Sequence, residues 1–220
     1  MALSARELLE SVRAELEPEE RKNRLVPLIE RGKAPVSVFA TLAAEESHIV
    51  RSDWRSLHLL ASRATEQTAR EFFAGLAQGE GLALAHLPAL AAAGGMDEDG
   101  LAAYEPMAGC QAYPSYFSWL ALNGEAADVI IGVVANFAAW GDYCGRIAAA
   151  MRAKYGLDDE ACGFFDFFAT PIPEAIEQAI AAVQAGMDAG RSSERLARRY
   201  GRLFQSYELM FWNTIADKVR

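Results

Sequence analysis

Apolar residues recur every three to four positions along almost the whole chain, the spacing that gathers them on one face of an α-helix. Strand-like alternation of useful length is absent, and so are internal repeats. Ser4 followed by Glu7 forms a capping-box pattern, predicting a helix from residue 4 to about 16, with Pro18 opening a second. Pro35 precedes a long segment in which Val36, Phe39, Leu42 and Ala43 share a face; it reaches about residue 63, continuing or kinking near Ser52 and Asp53. Thr65 is placed to cap the next helix, which ends near Gly94 and Gly95. Residues 96–107 read as a short helix and a turn at Pro106, and 113–122 as an aromatic-rich helix stopped by Asn123-Gly124. The most apolar helix spans 126 to about 155. The segment 163–168 leads to a break at Thr170-Pro171. Two closing helices follow, 173–189 and 192 onward, with Gly190 ending the first and Ser192/Ser193 capping the second. The expectation is an all-α bundle of about eight helices in a single domain spanning 1–220.

Composition narrows the class. Hydrophobic residues make up 52% and charged residues 23%, a globular rather than a disordered balance. The net charge of −9 repels phosphate backbones and anionic surfaces, so neither nucleic acid nor membrane is an expected partner. The one basic cluster, 191–202, alternates with apolar residues and reads as a solvated helix face. Cys110, Cys144 and Cys162 are odd in number and without paired metal spacing, which suits free thiols in a reducing cytoplasm. The N-terminus carries no apolar signal core, and the longest apolar stretch, 129–140, is shorter than the roughly 20 residues a membrane span requires.

Several residues could carry chemistry. Glu45 and His48 stand at i, i+3 and could face one metal, which would support a metal-dependent oxygenase. Glu80 and His86, six apart, fall on different helix faces. All three histidines lie before residue 90, so a two-metal site lacks its later ligand and no metal is expected. No Gly-x-Ser-x-Gly elbow or glycine-rich phosphate loop occurs. Cys144 reads as a buried core thiol. Glu208 differs: it sits within Ser206-Tyr207-Glu208-Leu209-Met210-Phe211-Trp212, where apolar neighbours make a carboxylate costly to ionise unless a donor meets it. A carboxyl so placed can exchange protons near neutrality, which makes Glu208 the candidate catalytic residue. The alternative is that it points to solvent while its neighbours pack.

The segment 207–212, a Glu followed two residues later by Met-Phe-Trp, resembles the signature of the TenA (thiaminase II-like) family. Glu46, seven positions after Phe39, stands where that family carries an early Asp. Tyr113-Pro114-Ser115-Tyr116 resembles its paired tyrosines, and 127–145 its long central helix. The resemblance implies a heme-oxygenase-like fold without heme, a homo-oligomer (dimer or tetramer), no cofactor, and hydrolysis of thiamin or related aminopyrimidines. Carried over by position, Glu46 would hold the amidine-like edge of a pyrimidine. Tyr113, Tyr116, Asn136, Trp140 and Phe168 would line the pocket, and Glu208 would move protons. Asn136 falls where the family has its nucleophilic Cys, Ala135 where it has the preceding Pro, and Trp140 and Phe168 where it has tyrosines. Cys144 lies eight residues further on, about 12 Å along a helix, too far for a simple exchange. Three functions remain: a C–N hydrolase working through carboxylates, a non-catalytic pyrimidine or other small-molecule binding and regulatory protein, or, from Glu45 and His48, a metal-dependent oxygenase on the same scaffold.

Overall fold

The computed structural model describes residues 3–20 and 22–219, and among them every regular element is helical. The helices are α1 (Ala5–Glu20), α2 (Leu25–Glu30), α3 (Ser37–Arg63), α4 (Gln67–Leu84), α5 (Leu87–Ala93), α6 (Glu98–Ala102), α7 (Ala108–Asn123), α8 (Ala126–Val134), α9 (Phe137–Tyr155), α10 (Asp159–Ala169), α11 (Pro173–Asp188) and α12 (Glu194–Lys218). Nine have nine residues or more; α2, α5 and α6 are short, so the predicted count of about eight holds for the principal helices.

Local signals act largely where the sequence puts them. The backbone N–H of Ser4 donates to Glu7 Oε2 at 2.8 Å and that of Glu7 to Ser4 Oγ at 3.3 Å, the reciprocal capping box. Ser193 caps α12 by accepting from Leu196 N–H at 3.4 Å. Gly190 turns the chain after α11 with φ of 69°, a left-handed conformation that suits glycine. The basic cluster at the start of α12 is ion-paired at the surface, Arg198 with Glu194 and Glu15, and Arg191 with Glu66.

Four boundaries differ from the periodic reading. Helix α1 carries on to Glu20 through Pro18, and the next helix opens only at Leu25. The α4 segment stops at Leu84 rather than near Gly94, because Pro88 sits in the first turn of α5 and has no N–H to continue a helix. The segment 163–168 lies inside α10, where Phe164 and Phe165 are fully buried. The central apolar helix is two helices meeting at Asn136. The N–H of Asn136 bonds back only three residues, to Val133 O at 3.1 Å, and its own carbonyl accepts from Trp140 N–H at 3.1 Å to start α9. Helix α3, about 40 Å long at 1.5 Å per residue, continues unbroken through Ser52-Asp53, where the Ser52 and Ser56 hydroxyls meet Ser118 Oγ of α7 at 3.4 and 3.1 Å.

The buried side chains form two apolar clusters. One joins α2, the first half of α3, α5, α9, α10 and the end of α12 around Phe39, Tyr143, Phe164, Phe165 and Trp212. The other joins α1, the end of α3, α4, α7, α8, α11 and the start of α12 around Phe72, Phe73, Val129 and Phe204. A large cavity takes lining residues from both: Ile49, Val50 and Phe211 from the first, Leu57, Phe72, Phe117 and Phe204 from the second.

Candidate functional site

The cavity measures about 1230 Å³. Each helix presents a stripe to it. Glu46, Ile49, Val50, Asp53 and Leu57 of α3 stand at i, i+3, i+4, i+7 and i+11, so two carboxyls fall two turns apart on one face. Phe72, Leu76 and Glu80 come from α4, Tyr113 and Phe117 from α7, Phe204, Glu208 and Phe211 from α12. The break between α8 and α9 contributes Asn136, Phe137 and Trp140, and the end of α10 contributes Phe167 and Phe168. Small residues on α4 (Gly75, Gly79) and α9 (Gly141, Gly145) leave the remaining width.

Glu208 is 4% exposed and faces inward, so the solvent-facing alternative does not hold. Two donors meet it: Trp212 Nε1, one turn on, at 3.1 Å to Oε1, and the Asn136 side-chain amide to Oε2. Asn136 therefore holds this carboxyl in place. The indole of Trp212 is fixed in turn by Trp140 (ring centroids 5.4 Å), Tyr143 (5.7 Å) and Phe211 (4.9 Å), and Trp140 packs edge-on against Phe168 at 5.6 Å. Met210, in the same apolar run, faces outward instead.

Glu46 lies buried on the cavity wall, its carboxyl pushed well above its usual range, chiefly by burial and then by the charges of Glu80, Glu208 and Glu45. Asp53 is 5% exposed, is raised well by burial and by Glu80 and Glu46, and its Oδ1 meets no hydrogen-bond partner. Glu80 keeps some accessible surface, on the cavity, and burial pushes it up to about 8. Tyr113 stands among all four: burial, then Asp53, Glu208, Glu80 and Glu46, hold its phenol well above its ordinary value, so it is a donor at neutral pH. No cationic side chain figures among the influences on Glu46, Asp53 or Glu80. Arg13 and Arg146 line the outer part of the cavity, but Arg146 is held by Glu30 at 2.8 and 2.7 Å and by Asp142 at 3.1 Å.

The remaining expectations separate. Tyr116 does not line the cavity; it packs against Trp119, Phe204 and Tyr207, with Phe204 between it and the lumen. Glu45 and His48 secure the segment before α7 rather than forming a ligand pair: Glu45 Oε1 accepts from Tyr104 Oη and Met107 N–H, both at 2.8 Å, and His48 Nε2 lies 3.3 Å from Tyr104 O. No group of three or more His, Cys, Asp or Glu stands ready to hold a metal among the described residues. All three cysteines are buried, and burial raises the thiols of Cys110 and Cys144, which disfavours a thiolate in either. Asp53 and Glu80 were not among the site residues expected from sequence. Asp53 had a readable signal in its seven-residue offset from Glu46, and Glu80 in its seven-residue offset from buried Phe73.

An all-helical bundle with an acidic, aromatic-walled cavity is thus the class that fold and site define. The chain belongs to the TENA/THI-4/PQQC family, whose model matches residues 24–218. Among solved structures it is similar to a TenA homolog from Pseudomonas syringae pv. tomato (TM-score 0.75, 10% identity, 98% of this chain and 96% of that one). It is also similar to a putative TenA-like thiaminase from Sulfolobus solfataricus (0.63, 14%, 99% and 98%). A third likeness is to a domain of unknown function with a heme oxygenase-like fold from Shewanella denitrificans (0.63, 13%, 94% and 96%). At these identities the structural likeness establishes the fold, which is heme-oxygenase-like. A search of curated proteins by sequence finds no match.

Proposed function

We propose that this chain binds an aminopyrimidine related to thiamin and hydrolyses a C–N bond in it with carboxyl groups alone. The observation that carries the reading is convergence: Glu46, Tyr113, Asn136 and Glu208, from three helices and the α8–α9 break, line one cavity. An aminopyrimidine presents a ring nitrogen beside an exocyclic amine, and a carboxyl such as Glu46 meets that edge with two hydrogen bonds. Trp140, Phe168 and Phe211 offer faces and edges for a flat ring. With the thiols held protonated, water is the nucleophile. Glu208, oriented by Trp212 and Asn136, takes a proton from that water as its oxygen bonds to carbon, and returns a proton to the departing nitrogen as the C–N bond breaks.

Purified protein incubated with thiamin, aminopyrimidine and formylaminopyrimidine is expected to release hydroxymethylpyrimidine from at least one, and Glu208→Gln to lower that rate by roughly 10²–10⁴-fold. No turnover of any of them, with wild type and variant alike, removes the reading. A second reading, a non-catalytic binding or regulatory protein, is favoured by Asn136 alone: an amide stands at the nucleophile's position and its N–H is already engaged by Glu208. Saturable pyrimidine binding without turnover selects it. A homo-oligomer in the cytoplasm belongs to the same proposal.

A further inference from the structure

The proposed chemistry uses one part of the cavity and leaves Asp53 and Glu80 without a role. They lie on different helices, α3 and α4, and both line the cavity. Asp53 is 5% exposed and its Oδ1 lacks a partner, although a buried polar atom ordinarily has one. Glu46 on α3 acts on Asp53, and Asp53 and Glu80 act in turn on Tyr113 of α7, while the basic side chains of the lining, Arg13 and Arg146, sit at exposed or half-exposed positions. Two carboxyls on facing helices in the wall of one cavity, one of them with an unpartnered buried oxygen, form an arrangement that an incoming positive charge completes. The donor sets in the described residues do not gather into a metal-ligand group, so the charge that fits is organic. The neighbours agree with that: Phe72, Phe117 and Phe204 face the same lumen and suit an alkyl chain or the face of a cation. Size points the same way. Ligand pockets commonly measure about 300–1,000 Å³, and one substituted pyrimidine ring fills only a small part of about 1230 Å³.

We propose that Asp53 and Glu80 form a second recognition point in the cavity, which takes the protonated aliphatic amine of a ligand longer than a single ring. The substrate class is then a flat heterocycle joined through an apolar linker to an ammonium group. The ring end of this ligand rests on the reading given under Proposed function; the ammonium end rests on Asp53 and Glu80 themselves. When the ammonium seats beside the two carboxyls, one of them releases its proton to solvent, and the single negative charge so formed meets the single positive charge of the ligand.

The test uses hexylamine, with hexanol as the uncharged control, titrated calorimetrically into the full chain in two buffers of different ionisation enthalpy at neutral pH. Hexylamine is expected to bind at least tenfold more tightly than hexanol, about 1.4 kcal/mol, with net proton release. Asp53→Asn and Glu80→Gln are each expected to remove that preference by tenfold or more while melting cooperatively at or above the wild-type temperature. Equal binding of amine and alcohol, or a preference untouched in both variants, overturns the proposal. Hydroxymethylpyrimidine titrated in parallel separates the two ideas. Pyrimidine binding without amine preference sinks this inference and leaves the ring site standing; amine preference without pyrimidine binding does the reverse.

Discussion

At the scale of single residues, the site turns on Asn136. Its amide donates to Glu208 from a helix break, so the side chain acts as a positioning group for that carboxyl. Asn136→Ala leaves one Glu208 oxygen buried without that donor, and a net loss of about 1–3 kcal/mol is expected in chemical denaturation. Asn136→Cys would restore a thiol beside Glu208 while removing the donor, so a gain in thiamin hydrolysis accompanied by a lower melting temperature is the expected pairing. Gly94 makes a purely steric point: a Cβ there would strike the backbone of Ala40 where α5 crosses α3, so Gly94→Ala is expected to destabilise although alanine is the better helix former.

At the scale of elements, the acid stripe of α3 faces Glu80 of α4, and its energetics predict a pH dependence. Glu46, Asp53 and Glu80 all have carboxyls raised in the folded chain, Glu80 from 4.5 to about 8. Between those values the folded state holds more protons than the unfolded one, so stability is greatest at the acidic end and falls as pH rises through the folded value. The melting temperature is expected to decline from pH 5 to about 9, and Glu80→Gln to flatten the decline; a profile that rises over that window would contradict the arrangement. Helix α10 illustrates the opposite use of an element. Its run Phe164-Phe165 is fully buried against α5 and α9, and Phe165→Ala is expected to cost roughly 3–5 kcal/mol in denaturant unfolding.

At the scale of the whole molecule, two features bear on assembly and access. Trp54 and Trp119 are 45% and 50% exposed on α3 and α7, helices that cross at Ser52, Ser56 and Ser118, and Leu122 beside them is also exposed. Large apolar side chains left outward on two crossing helices suit contact with a second copy. Light scattering is expected to report an oligomer that Trp54→Glu with Trp119→Glu dissociates. No helix is long and apolar enough to cross a membrane among the described residues. The cavity reaches from Glu208 and Asp53 out to Arg13, Asp142 and Glu174, so its outer part carries charges of both signs and its interior carries acids.

The helical class and the capping of α1 and α12 were readable in the sequence, because each depends on residues within a few turns of one another, whereas the inward placement of Glu208 was settled only by packing. Glu208 was legible through the apolar run that flanks it and Glu46 through the family resemblance, and Asp53 could have been found from its offset along the same helix. Glu80 as a partner for Asp53, the turning away of Tyr116, the engagement of Glu45 and His48 by the Tyr104 segment, and the grip of Asn136 on Glu208 were decided only in three dimensions. Periodicity gives the face of a helix, but which faces meet, and at what height, is set by the packing of α3, α4, α7 and α12 around a space that no single segment encloses.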